Sequence, residues 1–208
     1  MEARIKFLSA GDIGLTKKSG RTKELIIEKA THLFYKYGYL RAPVRKITKD
    51  LNLQNTIIYH YFKSKDELLF TIIDSICDEV IANLEDIIKR NDDPLERLQK
   101  MLYYQTVLFK TKKREVKIFV EDTYKLPKKM LEKILKKQRK MYDLYASQLK
   151  SLQKAKRIKE IEFPVIIFTI FAMVNWSYRW FKEDGTLTLE DVAERIIQIL
   201  FYGILAEK

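Results

Sequence analysis

The chain has 208 residues, of which 47% are hydrophobic, and a formal net charge of +12. This length and this hydrophobic content predict one large or two small folded domains and exclude a disordered tail. The charge is uneven, because residues 1–65 hold fourteen Lys and Arg against five Asp and Glu, whereas residues 66–208 hold 26 against 23. The basic first third therefore predicts a segment that binds polyanions, followed by a segment with another task.

Cys77 is the single cysteine of the sequence, so a disulfide framework and a cysteine metal cluster are both excluded. It lies in an apolar helical pattern and is predicted to be a core residue in a reducing, cytoplasmic protein. No HExxH, GxSxG, GxGxxG or phosphate-loop motif occurs in the sequence. We therefore expect no catalytic residue, no metal site and no cofactor.

Strand-type alternation is nowhere sustained, so the chain is predicted to be all-α. Residues 1–20 contain only short apolar pieces and are expected to form a mobile N-terminal arm, not a signal peptide. A first helix is predicted at about residues 22–37, where Gly38 ends it. Two short helices are predicted next, at about residues 43–51 and 54–62.

The second part of the chain is predicted to consist of longer helices. Ser64 and Glu67 have the spacing of a capping box, which predicts the start of a helix that runs to about residue 90. Further helices are predicted at about residues 94–110, 115–124, 127–152, 163–181 and 188–206. The segment at residues 163–181 is apolar enough to suggest a membrane span, but Asn175 and Arg179 interrupt it, so we expect a helix buried in protein and no membrane.

The two short helices, with a turn of about four residues between them, have the proportions of a helix-turn-helix. Ile58 and Phe62 of the second helix are predicted to face inward with Ile47, Leu51 and Leu53. The polar side chains then face outward: Gln54, Asn55, Thr56, Tyr59, His60 and Lys63. Amides and hydroxyls at a helix front can reach base edges, while Tyr, His and Lys further along can hold phosphates.

Other interpretations of this segment remain open. An enzyme would need a partner for His60, and His32, the other histidine of the sequence, falls in the first helix. Tyr59, His60 and Tyr61 could instead form a surface aromatic cluster that only packs the domain. A helical adaptor that binds a protein through its basic N-terminal domain is the second functional hypothesis.

Residues 26–69, IIEKATHLFYKYGYLRAPVRKITKDLNLQNTIIYHYFKSKDELL, resemble the N-terminal domain of the TetR (tetracycline repressor) family of transcription regulators. The YHYFKSKDELL ending is the most specific part of this resemblance. It implies a homodimer whose paired helix-turn-helix units read an inverted-repeat operator in double-stranded DNA. The implied DNA-binding residues are Gln54, Asn55, Thr56 and Ile57 for bases, and Tyr59, His60, Tyr61 and Lys65 mainly for the backbone. Arg45 and Lys63 are further candidate DNA-binding residues.

The segment departs from the family pattern at the edges of both short helices. The family usually has Thr or Ser just before the second helix, where this chain has Ala42 and Pro43. It also prefers Gly at the turn and early in the recognition helix, where this chain has Asn52 and Thr56. Because Thr56 adds bulk on the side that faces the groove, we expect an unusual operator.

The resemblance divides the chain into the arm, a DNA-binding domain at residues 21–68, and a helical regulatory and dimerisation domain at residues 69–208. Residues 171–204, FAMVNWSYRWFKEDGTLTLEDVAERIIQILFYGI, resemble a branch of the family that includes regulators of fatty-acid and acyl-CoA metabolism. The last two helices are then expected to form a four-helix bundle with their copies.

A small hydrophobic effector is the expected ligand, with an acyl chain or acyl-CoA as the leading hypothesis. Its apolar cavity is predicted to be lined by aromatic residues of the central helices, namely Tyr103, Tyr104, Phe109, Phe119, Tyr142 and Tyr145. Arg139 and Lys140 are candidates for contact with phosphates of this ligand. Ordinary core packing is the alternative for the aromatic residues, and a solvated helix face is the alternative for the two basic ones.

Overall fold

The computed structural model of the chain describes the backbone of residues 10–51 and 54–204, with side chains except those of residues 10–19 and Asn55. This part of the chain is all-α, as predicted. It forms two compact units that divide between Thr71 and Ile72. The first unit contains α1 (Ala10–Tyr37), α2 (Val44–Asp50), α3 (Asn55–Tyr61) and the beginning of α4 (Lys65–Arg90).

The second unit contains the rest of α4 and the remaining helices of the described residues. These are α5 (Pro94–Val107), α6 (Phe109–Asp122), a 3₁₀ turn (Thr123–Lys125), α7 (Lys128–Lys154), α8 (Phe163–Asn175), α9 (Ser177–Trp180) and α10 (Leu189–Ile204). α10 packs against α5, which also contacts α7 and α8. Among the described residues, no helix is both long enough and apolar enough to cross a membrane.

α1 ends at the predicted residue but begins earlier than predicted. The Gly38 N–H donates to the Phe34 carbonyl at 2.8 Å, and Gly38 has a φ of +73°, which glycine adopts without a steric penalty. The helix begins at Ala10, not near residue 22. Glycines within residues 10–20 lower helical propensity without forbidding a helix, and the segment has no proline. Residues 1–9 of the predicted arm lie outside the described residues.

Two of the predicted long helices are interrupted. The helix predicted at residues 94–110 ends at Val107, and the chain turns at Leu108 into α6, which is kinked at Lys112 (φ −122°, ψ 25°). The helix predicted at residues 163–181 breaks at Trp176 between α8 and α9. There the buried Ser177 hydroxyl donates to the Met173 carbonyl at 3.1 Å, and such a bond to the preceding turn bends helices.

The capping box predicted at Ser64 and Glu67 is present, and two further helices also have side-chain caps at their N-termini. The Glu67 N–H donates to the Ser64 hydroxyl at 3.1 Å, and the Asp191 N–H donates to the Thr188 hydroxyl at 3.1 Å. Asp93 caps α5, where Pro94 is at the first helical position. These caps satisfy backbone N–H groups that have no partner within the helix.

Replacing Asp93 with alanine is expected to lower the free energy of unfolding by about 1 kcal/mol, because the Asp93 carboxylate accepts a hydrogen bond from the Leu95 N–H at 3.2 Å. A hydrogen bond from Arg157 holds the pKa of Asp93 below its ordinary value. A carboxyl whose folded pKa is lowered stabilises the fold above its unfolded pKa, and this stabilisation is lost as the pH falls through the folded pKa. Urea unfolding between pH 7 and pH 2 measures both effects.

Asp92→Ala is the matched control, because Asp92 is exposed and caps no described helix. It is expected to change the unfolding free energy by less than about 0.5 kcal/mol. Equal effects of the two substitutions would contradict the capping role of Asp93.

Candidate functional site

One side of α3 is polar and exposed, and another side is apolar and buried. Ile58 and Phe62 are buried, as is Ile47 of α2, while Leu51 is half-buried. Leu53, the fifth residue predicted to face inward, lies outside the described residues. The outward residues of the described set are exposed: Gln54, Thr56, Tyr59, His60 and Lys63. Tyr59 is 63% exposed, so its ring and hydroxyl are available to a partner.

The remaining predicted DNA-binding residues have different environments. Arg45 of α2 is exposed, whereas Ile57 and Tyr61 are half-buried. Tyr61 has an edge-on ring contact with His60 at 5.1 Å between centroids. The backbone of Asn55 begins α3, but its side chain is not among those that the structure describes. α3 thus brings most of the predicted set together on one surface.

Lys65 is bound to its own unit in a way that the sequence did not indicate. Its ammonium donates to the Leu40 carbonyl at 3.2 Å and lies 4.7 Å from the centre of the Tyr39 ring. The Tyr39 hydroxyl in turn donates to Asp66. Lys65 and Asp66 therefore fix the turn after α1 to the start of α4, so a substitution of Lys65 also changes packing in this unit.

The segment between α3 and α4 is ordered by the capping box. Besides the bond to Ser64, Glu67 accepts a hydrogen bond from the Lys63 N–H. Pro43 precedes α2 and makes no side-chain cap, whereas the family usually has Thr or Ser just before this helix. The start of α4 is thus a well-formed helix N-terminus next to the exposed Lys63, and such an end attracts an anion.

The C-terminal unit contains a cavity of about 650 Å³. α4, α5, α6, α7 and α8 all contribute to its wall, and the volume is in the usual range for small-molecule sites. The lining residues are mostly apolar and include Ile76, Cys77, Val80, Phe119, Met141, Tyr142, Phe168 and Phe171. Burial raises the pKa of Cys77 to about 12, so its thiol is neutral in this wall.

The cavity is lined by two of the six aromatic residues predicted for it, Phe119 and Tyr142. Tyr145 is behind the wall, fully buried, with its ring edge-on to Phe171. Phe109 stacks on Tyr178 with 6.3 Å between ring centroids, next to a smaller cavity of about 370 Å³. Tyr103 borders a shallow surface pocket beside α10.

Tyr104 is half-buried and lies outside the lining of the large cavity. Its hydroxyl is buried without a hydrogen-bond partner among the described residues. Burial raises the pKa of Tyr104 to about 12, with a further contribution from Glu79. The phenol is therefore neutral and acts as part of the packing.

The polar residues of the cavity wall were not predicted from the sequence as lining residues. They are Gln105, Gln138 and Asn175, which line the cavity together with Arg139. Gln105 follows Leu98, Met101 and Leu102 on the inner stripe of α5, and a polar residue on an apolar stripe is the signal that could have found it. Arg139 pairs with Asp143 at 2.9 Å and lies over the Tyr142 ring, whereas Lys140 pairs with Glu85 at 2.6 Å.

The helix-turn-helix and the partly open apolar cavity define a helical DNA-binding protein with a separate ligand domain. Residues 91–204 match the model of the tetracyclin repressor-like C-terminal domain, and residues 26–72 match that of the bacterial regulatory proteins of the tetR family. The chain belongs to the TetR family of transcriptional regulators. Members of this family are regulators and not enzymes, and dimerisation and ligand binding are typical of them.

Several relatives are similar over nearly the whole chain. The transcriptional repressor KstR2 of Mycobacterium tuberculosis is 24% identical over 187 residues, which are 88% of this chain and 92% of KstR2. The structure of this ketosteroid transcriptional regulator has a TM-score of 0.83 at 21% identity and covers 89% of this chain and 96% of that one. AibR, solved in complex with isovaleryl coenzyme A and operator DNA, has a TM-score of 0.81 at 25% identity and covers 86% of this chain and 97% of AibR.

Proposed function

We propose that this protein is a ligand-responsive repressor that binds an inverted-repeat operator as a homodimer and is released by a small hydrophobic effector. The observation that carries the proposal is the exposed polar face of α3, set on buried Ile58 and Phe62 in the most basic part of the chain. A short helix anchored in this way suits the major groove.

The residues of this face divide into two roles. Gln54, Asn55, Thr56 and Ile57 are at the front of α3, where side chains reach base edges. The other residues hold the phosphate backbone, and they are Arg45, Tyr59, His60, Tyr61, Lys63 and Lys65. The first group sets the sequence preference of the protein, and the second sets its affinity for any duplex.

The dimer is formed by the outer faces of α8 and α10. α10 buries Ile196, Leu200 and Ile204 in its own unit while Ile199 is 64% exposed and Tyr202 90% exposed. α8 adds further large exposed apolar side chains, such as Val165. Such a face is costly to leave in water, and a second copy of the chain covers it with the same face.

The effector is proposed to be a CoA thioester. The wall of the large cavity contains no acidic side chain among its lining residues and one basic residue, Arg139. This composition suits an apolar chain that carries a neutral carbonyl and continues into an anionic part. The complex of AibR with isovaleryl coenzyme A supports the same ligand class for a protein of this fold.

α4 is the proposed route from ligand to DNA. The helix begins in the N-terminal unit at Lys65, and Ile76, Cys77 and Val80 of the same helix line the cavity. Lys137 of α7 holds this region through Asp74 at 2.5 Å and Asp78 at 2.7 Å. A ligand that favours one position of α4 lowers operator affinity by its differential affinity for the two states, and by no more than that.

A thermal shift screen with acyl-CoAs of graded chain length tests the effector class. A ligand at about 100 times its Kd stabilises a folded protein by about 2.7 kcal/mol. For a chain of this size, that corresponds to a rise in Tm of about 5–10 °C. Free CoA is the control and is expected to shift the Tm much less, because it leaves the apolar cavity empty. No stabilisation at any chain length would contradict the proposed effector.

A further inference from the structure

Gln105 of α5 is held in one orientation at the cavity wall. Its carboxamide oxygen accepts a hydrogen bond from the hydroxyl of Tyr145 on α7. Tyr145 is fully buried, and its ring packs edge-on against Phe171 at 5.6 Å between centroids. Because the phenol ring cannot move without disturbing this packing, its hydroxyl is a fixed reference point for the Gln105 side chain.

The buried hydroxyl also determines which end of the carboxamide it contacts. Burial raises the pKa of Tyr145, so the phenol keeps its proton and needs an acceptor. Gln105 supplies the hydrogen-bond partner of this hydroxyl in the described part of the chain. If the amide were turned around, its NH₂ group would face the hydroxyl and the phenol proton would be buried without an acceptor. The oxygen of Gln105 therefore faces Tyr145.

The NH₂ group of Gln105 is therefore available to donate a hydrogen bond to a ligand in the cavity. Gln105 is half-buried and lines the cavity, and its amide nitrogen makes no hydrogen bond to the described residues. Other residues of the cavity wall, such as Met141 and Phe171, are apolar and have no side-chain oxygen that could accept a hydrogen bond from this NH₂ group. An N–H donor in an apolar wall favours a ligand that places an acceptor against it and penalises one that does not.

We infer that Gln105 is a specificity-determining residue that donates a hydrogen bond to the carbonyl oxygen of the effector, and that Tyr145 is the positioning residue that orients it. The inference rests on the proposed function, in which the effector is a CoA thioester. To that function it adds the atom of the effector that the protein recognises, which is the carbonyl oxygen. Gln138 also lines the cavity, but it is half-buried on α7 without a comparable tyrosine partner among the described residues, so its amide is free to turn.

Paired ligands test this inference directly. One is an acyl-CoA, and the other is the S-alkyl-CoA of equal length, in which a methylene replaces the thioester carbonyl. Isothermal titration calorimetry of the full chain is expected to give about tenfold tighter binding of the thioester. In Gln105→Met and Gln105→Leu, two apolar replacements of different shape, this preference is expected to fall to about onefold while the thioether binds as before.

Tyr145→Phe distinguishes positioning from structural support. It is expected to reduce the preference for the thioester to a few-fold at most and to leave thioether affinity unchanged, because the freed amide is no longer oriented. A purely structural role would weaken both ligands equally. Gln138→Leu is the matched control, since it removes another wall carboxamide, and it is expected to keep the tenfold preference.

The outcomes separate this inference from the proposed effector. Equal binding of both ligands by the wild-type protein would overturn the role of Gln105 and leave the CoA effector standing. A preference that survives both Gln105 replacements would also overturn it. If neither ligand binds the wild-type protein, the CoA effector is contradicted and the carbonyl recognition is contradicted with it.

Discussion

Replacing both Ile199 and Tyr202 with aspartate is expected to convert the protein from a dimer to a monomer and to lower operator affinity by at least about 100-fold. The two residues are one turn apart on the exposed face of α10. In a dimer built on this face, four carboxylates would be brought close together out of water. The loss of the second half-site then removes the gain from binding two linked sites at once, which amounts to about 10²–10⁴.

Sedimentation equilibrium and fluorescence anisotropy on a labelled operator measure the two effects. Gln99→Asp is the matched control, because Gln99 is exposed on α5, outside the proposed interface of α8 and α10. It adds a carboxylate to the surface of the same unit and is expected to leave both the dimer and the operator complex intact. A double variant that remained dimeric would rule out this face as the dimer interface.

Tyr59→Ala is expected to weaken binding to all DNA sequences by a similar factor, about 5- to 30-fold for a loss of about 1–2 kcal/mol. Thr56→Ala is expected to act differently and to change the preference at one base-pair position by about 1–3 kcal/mol. Since both side chains are exposed, neither change should alter the Tm. Competition binding against a library of single-base operator variants distinguishes the two results.

Lys63→Ala and Lys49→Ala form a matched pair for the phosphate contacts. Both lysines are exposed in the N-terminal unit, but only Lys63 belongs to the proposed DNA-binding surface. Loss of one phosphate contact is expected to lower the slope of log affinity against log salt by about one in Lys63→Ala and to leave it unchanged in Lys49→Ala. Identical slopes for the two variants would contradict the proposed surface, as would a Tyr59→Ala profile identical to that of Thr56→Ala.

Local signals allowed much of the fold to be predicted. The capping residues Ser64, Asp93 and Thr188 are each within three positions of the groups they satisfy, so the sequence alone places the helix starts. The buried edge of α3 follows from the helical spacing of Ile58 and Phe62. In short motifs of this kind, neighbouring residues alone determine the local geometry. For the same reason, the family could be identified from one segment of 44 residues.

The helix breaks could not be predicted in the same way. The chain breaks after α8 beside Ser177, whose hydroxyl bonds to the preceding turn, but a serine in an apolar helical pattern is equally compatible with a straight helix. No proline or glycine near Lys112 in the sequence indicates the kink there. Such choices depend on the packing of the whole unit, which a single sequence does not contain.

The cavity shows a similar limit. Aromatic side chains can be recognised in a sequence, but their distance from a cavity depends on the rotation of each helix, and so Tyr145 was predicted in the wall and lies behind it. Gln105 was missed although the hydroxyl that orients it belongs to that same Tyr145. The pair is forty positions apart, and only the packing of α5 on α7 brings the two side chains together.

Fluorescence anisotropy of the full-length protein on the DNA upstream of its own gene, with and without an acyl-CoA, tests the central claim most directly. We predict a salt-sensitive complex at least about 10³-fold tighter than that with random DNA. An acyl-CoA selected by the thermal shift screen is expected to weaken this complex by about 5- to 150-fold, the usual range of allosteric coupling. Equal affinity for random DNA, or an operator complex that a bound acyl-CoA leaves unchanged, would contradict the proposal of a ligand-released repressor.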